Sequence, residues 1–407
     1  MNAMADDKRD LMILGGGLVG MTLALAAAKK GFASHVVDRA DPAELTKEGF
    51  DGRASAISTA SWNLFRNIGI APALEPQACP IATIAVSDQM RPGHIHFTPA
   101  ADEGSLGRMF ANRALRLALF EAARTEPLIA WHSNAQVTRR DRDDYGVSVN
   151  LGSGQELRAS LLVGAEGRHS PTRQEAGITI AKWDYHHRAI IAAITHEQPH
   201  DNVAWEIFYP AGPFALLPML DGADGAHRSA LVWTVHEDDA AGMLKMSDRA
   251  MIGELAKRFD RFGAITKLGQ RSSFPLGFHH TAKITASRLA LVGDAAHGIH
   301  PIAGQGLNLG LRDVGALIEV LAEGARLGLE PGDAQLLARY ERWRGLDSFM
   351  VALATDGLTR LFGVRGNAAS AVRRLGMAGV ERLPPVKRWF MDEARGMSGQ
   401  LPELLSA

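Results

Sequence analysis

Two glycine-rich segments, far apart in the chain, have the residue types and spacing that bind a dinucleotide. Near the N-terminus, Gly15, Gly17 and Gly20 stand in G-x-G-x-x-G spacing. In such a motif the glycines permit a tight turn, a close backbone approach to a pyrophosphate and close packing of helix on strand. The second segment, from Leu289 to Asp313, reads LALVGDAAHGIHPIAGQGLNLGLRD. Two such elements, separated by most of the protein, predict a large dinucleotide contacted by both, which favours FAD over NAD.

The elements around the first segment must position its glycines. The pattern predicts a short apolar strand over residues 11–14, a helix over 21–28 and a second strand over 33–38 that ends at Asp38. The phosphates would lie at the positive N-terminus of this helix. A carboxylate about 20 residues beyond the glycines is placed to accept the ribose hydroxyls.

The second segment predicts a strand, a turn and a helix. The strand, residues 289–292, delivers Gly293 and Asp294 at its carboxyl end, where a carboxylate can hold a ribityl or ribose hydroxyl. The turn over residues 301–308, which includes Gly304, Gly306 and Asn308, offers backbone N–H groups at the start of the helix. The positive end of that helix would stabilise an anionic reduced flavin.

Three further residues are weaker candidates for the same site. Arg53 could reach a pyrophosphate or a flavin edge, or it could be a solvated surface arginine. Asn112 begins a predicted helix and is either a cofactor contact or only a helix cap. Glu166 follows the apolar strand at residues 161–163, where parallel sheets bind ligands at the carboxyl ends of their strands.

Composition excludes several classes of protein. The chain has 407 residues, with 44 basic and 45 acidic side chains, so no bulk field attracts nucleic acid. The lone cysteine, Cys79, excludes an internal disulfide and a cysteine metal cluster. The adjacent histidine pairs, His186 with His187 and His279 with His280, lack further metal-ligating residues in a suitable pattern, and no metal is predicted. The polar start and the lack of a run of about 18 apolar residues predict a cytoplasmic protein that does not span a membrane.

The overall pattern predicts an α/β protein with interleaved domains. We expect a Rossmann-like FAD-binding domain, an interleaved antiparallel β-sheet substrate domain and C-terminal helices. The predicted FAD-binding domain has three parts, residues 1–80, 106–181 and 281–330. The predicted remainder comprises substrate-domain strands at 81–105, the substrate sheet at 182–280 and a helical region at 331–407.

With these motifs in place, the chain resembles the class A FAD-dependent aromatic monooxygenases of the para-hydroxybenzoate hydroxylase fold. Within that group it is similar to the ubiquinone-biosynthesis hydroxylases. The segment from Leu289 to Asp313 carries most of the resemblance, and the others that carry it are GGGLVG, DGRASAIS, NRALRLALFE, GAEGRHSPTR, GPFALLP and DGLTRLF. The family's second motif usually has Asp-Gly where this chain has Glu166, so the contact of this residue with ribose or with a nicotinamide cofactor is left open.

The resemblance implies roles for the matched positions. The ADP half of FAD would be held by the first motif and the acid after it, that is, by Gly15, Gly17, Gly20 and Asp38. Arg53 and Asn112 would lie along the pyrophosphate and the flavin, and Asp294 would bind the ribityl chain. The loop from Pro301 to Gly306 would line the isoalloxazine, with the Pro301 carbonyl close to the reacting ring.

The resemblance also implies the chemistry. Flavin reduced by NAD(P)H or by a protein donor would react with molecular oxygen to give a C4a-hydroperoxide, which hydroxylates the aromatic ring of a polyprenylated phenol. His297 flanks the flavin loop and would either influence the substrate phenol or be a hydrogen-bonded structural histidine. The implied partners are the phenol or quinol precursor, a ubiquinone-synthesis complex and the surface of the inner membrane.

Three alternatives remain open. An FAD-dependent reductase or dehydrogenase of an isoprenoid substrate would share the two-part FAD site. A non-catalytic FAD-binding subunit of a ubiquinone-synthesis complex would keep the cofactor for structure only. The basic C-terminal region is either a solvated helix face or a surface that docks on anionic lipid.

Overall fold

The computed structural model of the protein describes residues 8–47, 53–90, 94–100, 102–298, 305–345 and 379–407. The strands, in chain order, are β1 (Lys8–Leu14), β2 (Ser34–Val37), β3 (Ala54–Ser58), β4 (Cys79–Ile81), β5 (Thr83–Asp88), β6 (Ile95–Phe97), β7 (Gly107–Ala111), β8 (Ile129–His132), β9 (Val137–Arg142), β10 (Val147–Leu151), β11 (Glu156–Gly164), β12 (Ile180–His196), β13 (Val203–Tyr209), β14 (Gly212–Met219), β15 (His227–His236), β16 (Ile265–Leu268), β17 (Ser272–Thr281), β18 (Thr285–Ala286), β19 (Leu289–Leu291) and β20 (His297–Gly298). The helices are α1 (Leu18–Lys29), α2 (Pro42–Leu45), α3 (Thr59–Asn67), α4 (Ala71–Leu74), α5 (Asn112–Thr125), α6 (Pro171–Glu175), α7 (Glu237–Leu244), α8 (Asp248–Ala256), α9 (Gln305–Arg326), α10 (residues 334–345), α11 (residues 379–382) and α12 (Pro384–Ala394).

The first sheet is the parallel sheet that the N-terminal pattern predicts. Its strand order is β18-β19-β11-β1-β2-β8, with β10 beside β11 and β9 beside β10. Strands β19, β11, β1, β2 and β8 run parallel to one another, so their carboxyl ends share one edge. The apolar half of β1, Leu11 to Leu14, is at most 1% exposed, because helices and loops cover both faces of such a sheet.

Helices α1, α5 and α9 pack around this sheet. Leu311, Val314, Ile318 and Leu321, which stand at helical spacing in the sequence, form the buried face of α9. Helix α1 is almost completely buried, which its small and aliphatic residues permit. It ends at Lys29, and Gly31 follows in the left-handed region at φ +87°.

The second sheet has nine strands, in the order β20-β17-β12-β15-β14-β13-β5-β6, with β16 beside β12. The sequence predicts an antiparallel sheet, and this is confirmed for every pair in it except β13 and β5, which are parallel. The long connection between β5 and β13 permits this parallel pairing, which a short hairpin would not. One face of the sheet is covered by α7 and α8, whose residues Ala240, Met251 and Leu255 join its apolar cluster.

The third sheet, β3-β7-β4, lies against the other face of the second sheet. Ile81 and Met109 from the third sheet form one apolar cluster with Ala204 and Leu217 from the second. Phe390 of α12 joins the same cluster. This layer between the sheets is therefore one of the places where the second sheet meets the rest of the protein.

The observed architecture confirms the predicted fold class, with a Rossmann-like half, an interleaved β-sheet half and C-terminal helices. The domain boundaries given above stay a prediction. The segment DGLTRLF, residues 356–362, lies outside the described residues. Across the ranges that are described, no helix is long and apolar enough to cross a bilayer.

Candidate functional site

The two glycine-rich segments meet in the structure. Gly15 has φ +103°, and a Cβ on Gly20 would come within 1.8 Å of the Gly15 carbonyl oxygen, so the start of α1 packs tightly on the turn after β1. The Val19 side chain, in the first turn of α1, lies against the second segment. A Cβ on Gly310 would be 2.9 Å from Val19 Cγ2, and one on Gly293 would be 3.3 Å from the same atom. One site can therefore draw on both segments, as the sequence predicts.

The N-terminus of α1 fits the pyrophosphate of a dinucleotide. Gly17 occupies the cap position, no side chain caps the helix, and its first turn contains no acidic residue. The first N–H groups of a helix have no intrahelical acceptor. A Cβ on Gly17 would meet no atom within 4 Å, so the backbone here is open to close approach by phosphate oxygens.

Asp38 is fixed beside the same turn. The predicted second strand ends at Val37, so Asp38 lies one residue past β2. Its Oδ2 accepts a hydrogen bond from the Gly16 N–H at 2.5 Å, and its Oδ1 accepts one from the Ala40 N–H at 2.7 Å. A carboxylate has about four lone-pair directions, so it can accept ribose hydroxyls in addition to these bonds. That contact remains a prediction.

The turn after β19 is held by three buried side chains from three different elements. The Gly293 N–H donates to Asp313 Oδ2 of α9 at 2.8 Å. His279 Nε2 of β17 lies 2.8 Å from the Asp294 carbonyl oxygen, and Arg173 Nη1 of α6 donates to the Ala295 carbonyl oxygen at 3.0 Å. The backbone that carries Asp294 therefore has little freedom to move.

Asp313 is the charge at the centre of this arrangement. Its carboxylate is fully buried, with Arg344 Nε at 2.7 Å and His297 Nε2 at 2.8 Å. Desolvation acts to raise the pKa of Asp313, but the nearby His297 and Arg344 outweigh it and hold the pKa below its ordinary value. The burial of His297 against Asp313 supports its structural interpretation, and a catalytic role for His297 stays a prediction.

His279 is a neutral hydrogen-bond donor. It is 2% exposed, and burial lowers its pKa to about 4, despite the opposing hydrogen bond to Asp294 and with smaller lowering effects from Arg168, Arg173 and His297. Because a carbonyl oxygen only accepts, the proton on the neutral ring must lie on Nε2. His279 therefore ties the second sheet to the turn of the first.

The Asp294 side chain remains accessible to solvent, as a residue that binds a cofactor hydroxyl must. Protein atoms nevertheless surround the carboxyl group closely, and this desolvation raises its pKa. Arg168 and His297 act in the opposite direction, and Asp313 raises the pKa further. The accessible carboxyl group at a strand end fits the predicted contact with a ribityl hydroxyl.

The start of α9 differs from the prediction. The sequence predicts a turn through residue 308, but the helix begins at Gln305, so Gly306 and Asn308 belong to its first turn. The N–H groups of that turn still lack intrahelical acceptors. The Asn308 side chain accepts from the Ser58 N–H at 3.0 Å and donates to the Ala56 carbonyl at 2.9 Å, which ties α9 to β3. Pro301 and Gly304 lie outside the described residues.

The structure brings Arg53 and Asn112 together. The Asn112 N–H donates to the Arg53 carbonyl at 3.1 Å, because β3 and β7 pair side by side. The hypothesis that Asn112 caps α5 is wrong, since Asn112 is the first helical residue and Ala111 holds the cap position. Its Oδ1 instead accepts from Ser55 Oγ at 2.7 Å. The roles of Arg53 and Asn112 toward a cofactor stay predictions.

Glu166 is engaged by its own loop. Its carboxylate accepts from Ser170 Oγ at 2.5 Å and from Thr172 Oγ1 at 2.7 Å, and Arg140 Nη2 lies 3.5 Å away. These contacts fix the turn between β11 and α6. Arg173, in α6, reaches from there to the turn that carries Asp294. A direct contact of Glu166 with ribose or with a nicotinamide cofactor remains a prediction.

Sequence reasoning missed the side chains that hold the site in place, namely Arg173, His279, Asp313 and Arg344. A signal existed for Asp313, because a carboxylate between the apolar residues Leu311 and Val314 implies a buried partner. The partners themselves come from distant elements, and no spacing in the sequence announces them. No group of side chains suited to a metal occurs in the ranges that the structure covers.

Comparisons with known proteins support FAD as the cofactor. Residues 8–347 match the family model described as an FAD binding domain, which confirms the FAD prediction. The chain is 43% identical over 400 residues to a ubiquinone hydroxylase of Rhodospirillum rubrum, covering 98% of this chain and 92% of that protein. It is 33% identical to the 3-demethoxyubiquinol 3-hydroxylase of Escherichia coli, covering 97% of this chain and 100% of that protein.

A solved structure shares the fold. The p-nitrophenol 4-monooxygenase of Pseudomonas putida superimposes with a TM-score of 0.78 at 19% identity, covering 97% of this chain and 99% of that chain.

Gly17→Ala and Gly20→Ala should have different effects. A methyl group on Gly17 meets no protein atom, so this variant should fold with a loss of about 1 kcal/mol or less. It should nevertheless lose at least about tenfold in FAD affinity, because the methyl group blocks the approach of the pyrophosphate. Gly20→Ala clashes with the Gly15 carbonyl and should fail to fold normally. Flavin absorbance of the purified proteins and circular dichroism separate these outcomes, and full FAD affinity in Gly17→Ala would contradict the assignment.

The low pKa of His279 predicts a loss of stability in mild acid. The pKa is lowered from 6.5 in the unfolded chain to about 4 in the folded protein. The contribution of this residue is therefore complete above about pH 6.5 and declines as the pH falls toward 4, by up to about 3 kcal/mol at about 1.4 kcal/mol per pKa unit. His279→Gln keeps an N–H donor without titrating in this range. Urea unfolding across this pH range should give a flatter profile for the variant, and identical profiles would refute the prediction.

Proposed function

Because the chain belongs to the family of FAD-dependent ubiquinone-biosynthesis hydroxylases, we propose that it hydroxylates the aromatic ring of a polyprenylated phenol. The observation that carries the proposal is the similarity to the two named hydroxylases along nearly the whole chain, including both glycine-rich segments. The electron donor would be NAD(P)H or a redox protein, and the second substrate would be molecular oxygen.

The residues of the first sheet would hold the cofactor. The N-terminus of α1 and the open backbone at Gly17 would bind the pyrophosphate, Asp38 the ribose, and Asp294 the ribityl chain. The first turn of α9, with Gly306, would direct its N–H groups and its positive end toward the flavin, where they favour negative charge. When bound and reduced, FAD supplies an electrophilic oxygen atom taken from O2.

The hydrogen bonds from His279 and Arg173 to the turn that carries Asp294 would keep the position of this turn constant. His279 connects the turn to the second sheet, and Arg173 connects it to the loop after β11. A displacement of about 1 Å at a reacting centre can lower a rate by about a hundredfold. The chain's part in the reaction is thus to position two rings and to exclude water from between them.

Isotope labelling tests the proposal directly. With FAD, NAD(P)H, ¹⁸O₂ and a phenol that carries a short prenyl chain, we expect one ¹⁸O atom in the ring product and oxygen uptake that depends on the substrate. Anaerobic reduction of an isoprenoid double bond would instead indicate a reductase. Tight FAD binding with neither activity would indicate a non-catalytic subunit. Gly17→Ala, in which we expect weakened FAD binding, is the matched control.

We further propose that α12 docks the protein on an anionic membrane surface, where a polyprenyl substrate resides. Leu383, Val386 and Trp389 expose 54%, 37% and 51% of their surface. They adjoin Arg382 and Arg388, for which no ion pair is found among the described residues. Apolar residues beside arginines on an exposed helix favour binding at the lipid interface. The alternative, a solvated basic face, remains open.

Vesicle sedimentation distinguishes the two interpretations. The wild-type protein should sediment with vesicles that contain anionic lipid and not with neutral ones. The triple variant Arg382→Glu/Arg388→Glu/Trp389→Ala should lose at least about tenfold in partitioning, because each basic residue contributes about 1 kcal/mol near such a surface. Arg124→Glu/Lys257→Glu, which reverses two exposed charges elsewhere, is the control. A wild-type protein that ignores anionic vesicles would refute the docking proposal.

A further inference from the structure

Strand β13 places a single carboxyl group on the face of the second sheet that meets the rest of the protein. Along β13, Trp205 and Ile207 point into the cluster that α7 and α8 cover. Side chains alternate along a strand, so Glu206 points to the opposite face. Its cross-strand neighbours are Ala215 on β14 and Val86 on β5.

The surroundings of Glu206 are apolar. Its neighbours Ala204, Val86 and Leu217 pack in the cluster between the second and third sheets. The third sheet contributes β3, the strand that begins directly after Arg53 and is tied to α9 by Asn308. Glu206 therefore lies in the layer that faces the flavin-side residues, and not on the helix-covered side of its sheet.

Within the described part of the chain, the Glu206 carboxyl group has neither a hydrogen-bond donor nor a cationic partner. The residue is half-buried, as are Val86 and Leu217, so this face is not completely covered. In contrast, the buried carboxylate of Asp313 has an arginine, a histidine and a backbone N–H around it. Glu206 thus lies among apolar side chains with its hydrogen-bonding capacity open to a ligand.

The titratable groups described on the neighbouring strands do not neutralise the charge of the Glu206 carboxylate. Asp88, two residues from Val86 on β5, is also acidic. Cys79 on β4 stays neutral, because burial raises the pKa of its thiol to about 12, with a smaller effect from Asp221. On β7, Arg108 turns to the other side of the third sheet and lies 4.5 Å from the centre of the Trp62 ring.

The remaining strands and α12 do not change this picture. Strands β3 and β14 contain no titratable side chain. On α12, Lys387 pairs with Glu381 outside the layer, Arg388 is exposed, and Glu393 accepts a hydrogen bond from Ser398. Asp392, the remaining titratable residue of α12, is acidic and cannot neutralise the Glu206 carboxylate. Desolvation alone raises the pKa of Glu206, to about 7.

We propose that Glu206 is a catalytic residue that accepts the hydrogen bond, and then the proton, of the phenol hydroxyl group of the substrate. This inference rests on the proposed function. A phenol in the layer between the sheets would supply the donor that the protein does not provide. The apolar neighbours would hold the ring and the start of a prenyl chain.

The proton transfer fits the chemistry of ring hydroxylation. As a ring carbon forms its bond to the oxygen atom that derives from O2, the ring loses two electrons and the transferred oxygen is reduced. The phenol O–H bond breaks, its electron pair forms a C=O bond, and Glu206 takes the proton. The ring C–H proton then leaves to solvent, the ring regains aromaticity, and Glu206 returns its proton to the ring oxygen. A group that is half-ionised near neutral pH suits both steps.

Glu206→Gln tests the proton transfer, because glutamine keeps the shape but cannot take a proton. We expect kcat/KM for hydroxylation to fall by about a hundredfold, with unchanged FAD content and with more oxygen consumed per product formed. In the wild type, hydroxylation should decline as the pH falls through about 7, because protonation of Glu206 removes the carboxylate that accepts the phenol proton. The variant should show no such transition. An unchanged rate and pH profile in Glu206→Gln would overturn the proposal.

A binding experiment keeps this inference separate from the proposed function. Difference spectra of the oxidised flavoprotein would give the affinity for a short-chain prenyl phenol and for its methyl ether. The wild type should prefer the phenol by about tenfold or more, as expected for a hydrogen bond to a charged acceptor, and Glu206→Leu should lose this preference. Equal binding by the wild type would refute the role of Glu206, whether or not the protein hydroxylates the ring. Glu237→Gln, on the exposed surface of α7, should behave as the wild type.

Discussion

The carboxylate of Asp313 holds together the parts of the candidate cofactor site that come from different regions of the chain. It reaches the backbone of Gly293, the ring of His297 and the guanidinium of Arg344 without contact with water. Loss of one partner from such a buried group typically costs about 3 to 5 kcal/mol, since the remaining charge is left without compensation. The turn that carries Asp294 is therefore fixed by electrostatics, and the bonds from His279 and Arg173 add direction to it.

Asp313 and Glu206 illustrate a division between support and reaction. Asp313 is surrounded by donors and cannot take part in chemistry without dismantling its own surroundings. Glu206 lies among apolar side chains, so its proton affinity is free to respond to whatever binds beside it. The first sheet would thus supply a rigid side of the site, and the second sheet a carboxyl group whose protonation responds to a bound ligand. The reacting rings would lie between the two sheets.

Sequence reasoning predicted the local features well and the long-range ones poorly. The glycine spacing, the apolar strands and the face of α9 follow from patterns of two or 3.6 residues, which neighbouring residues determine. Other features depend on which distant elements become neighbours. They are the hydrogen bonds from Arg173 and His279 to the Asp294 turn, those of Asn308 to β3, and the parallel pairing of β13 with β5. Glu206 could not be singled out either, because a glutamate between a tryptophan and an isoleucine usually indicates a solvent-facing position on a strand.

The pairing of β5 with β13 has a consequence for how this protein can change during evolution. The second sheet takes strands from both sides of the segment that builds β7 to β11, so no single recombination event can exchange this sheet for another as a unit. Substitutions on its inner face, at positions such as Val86 and Leu217, would change what this sheet presents to the rest of the protein and leave the crossed strand order intact.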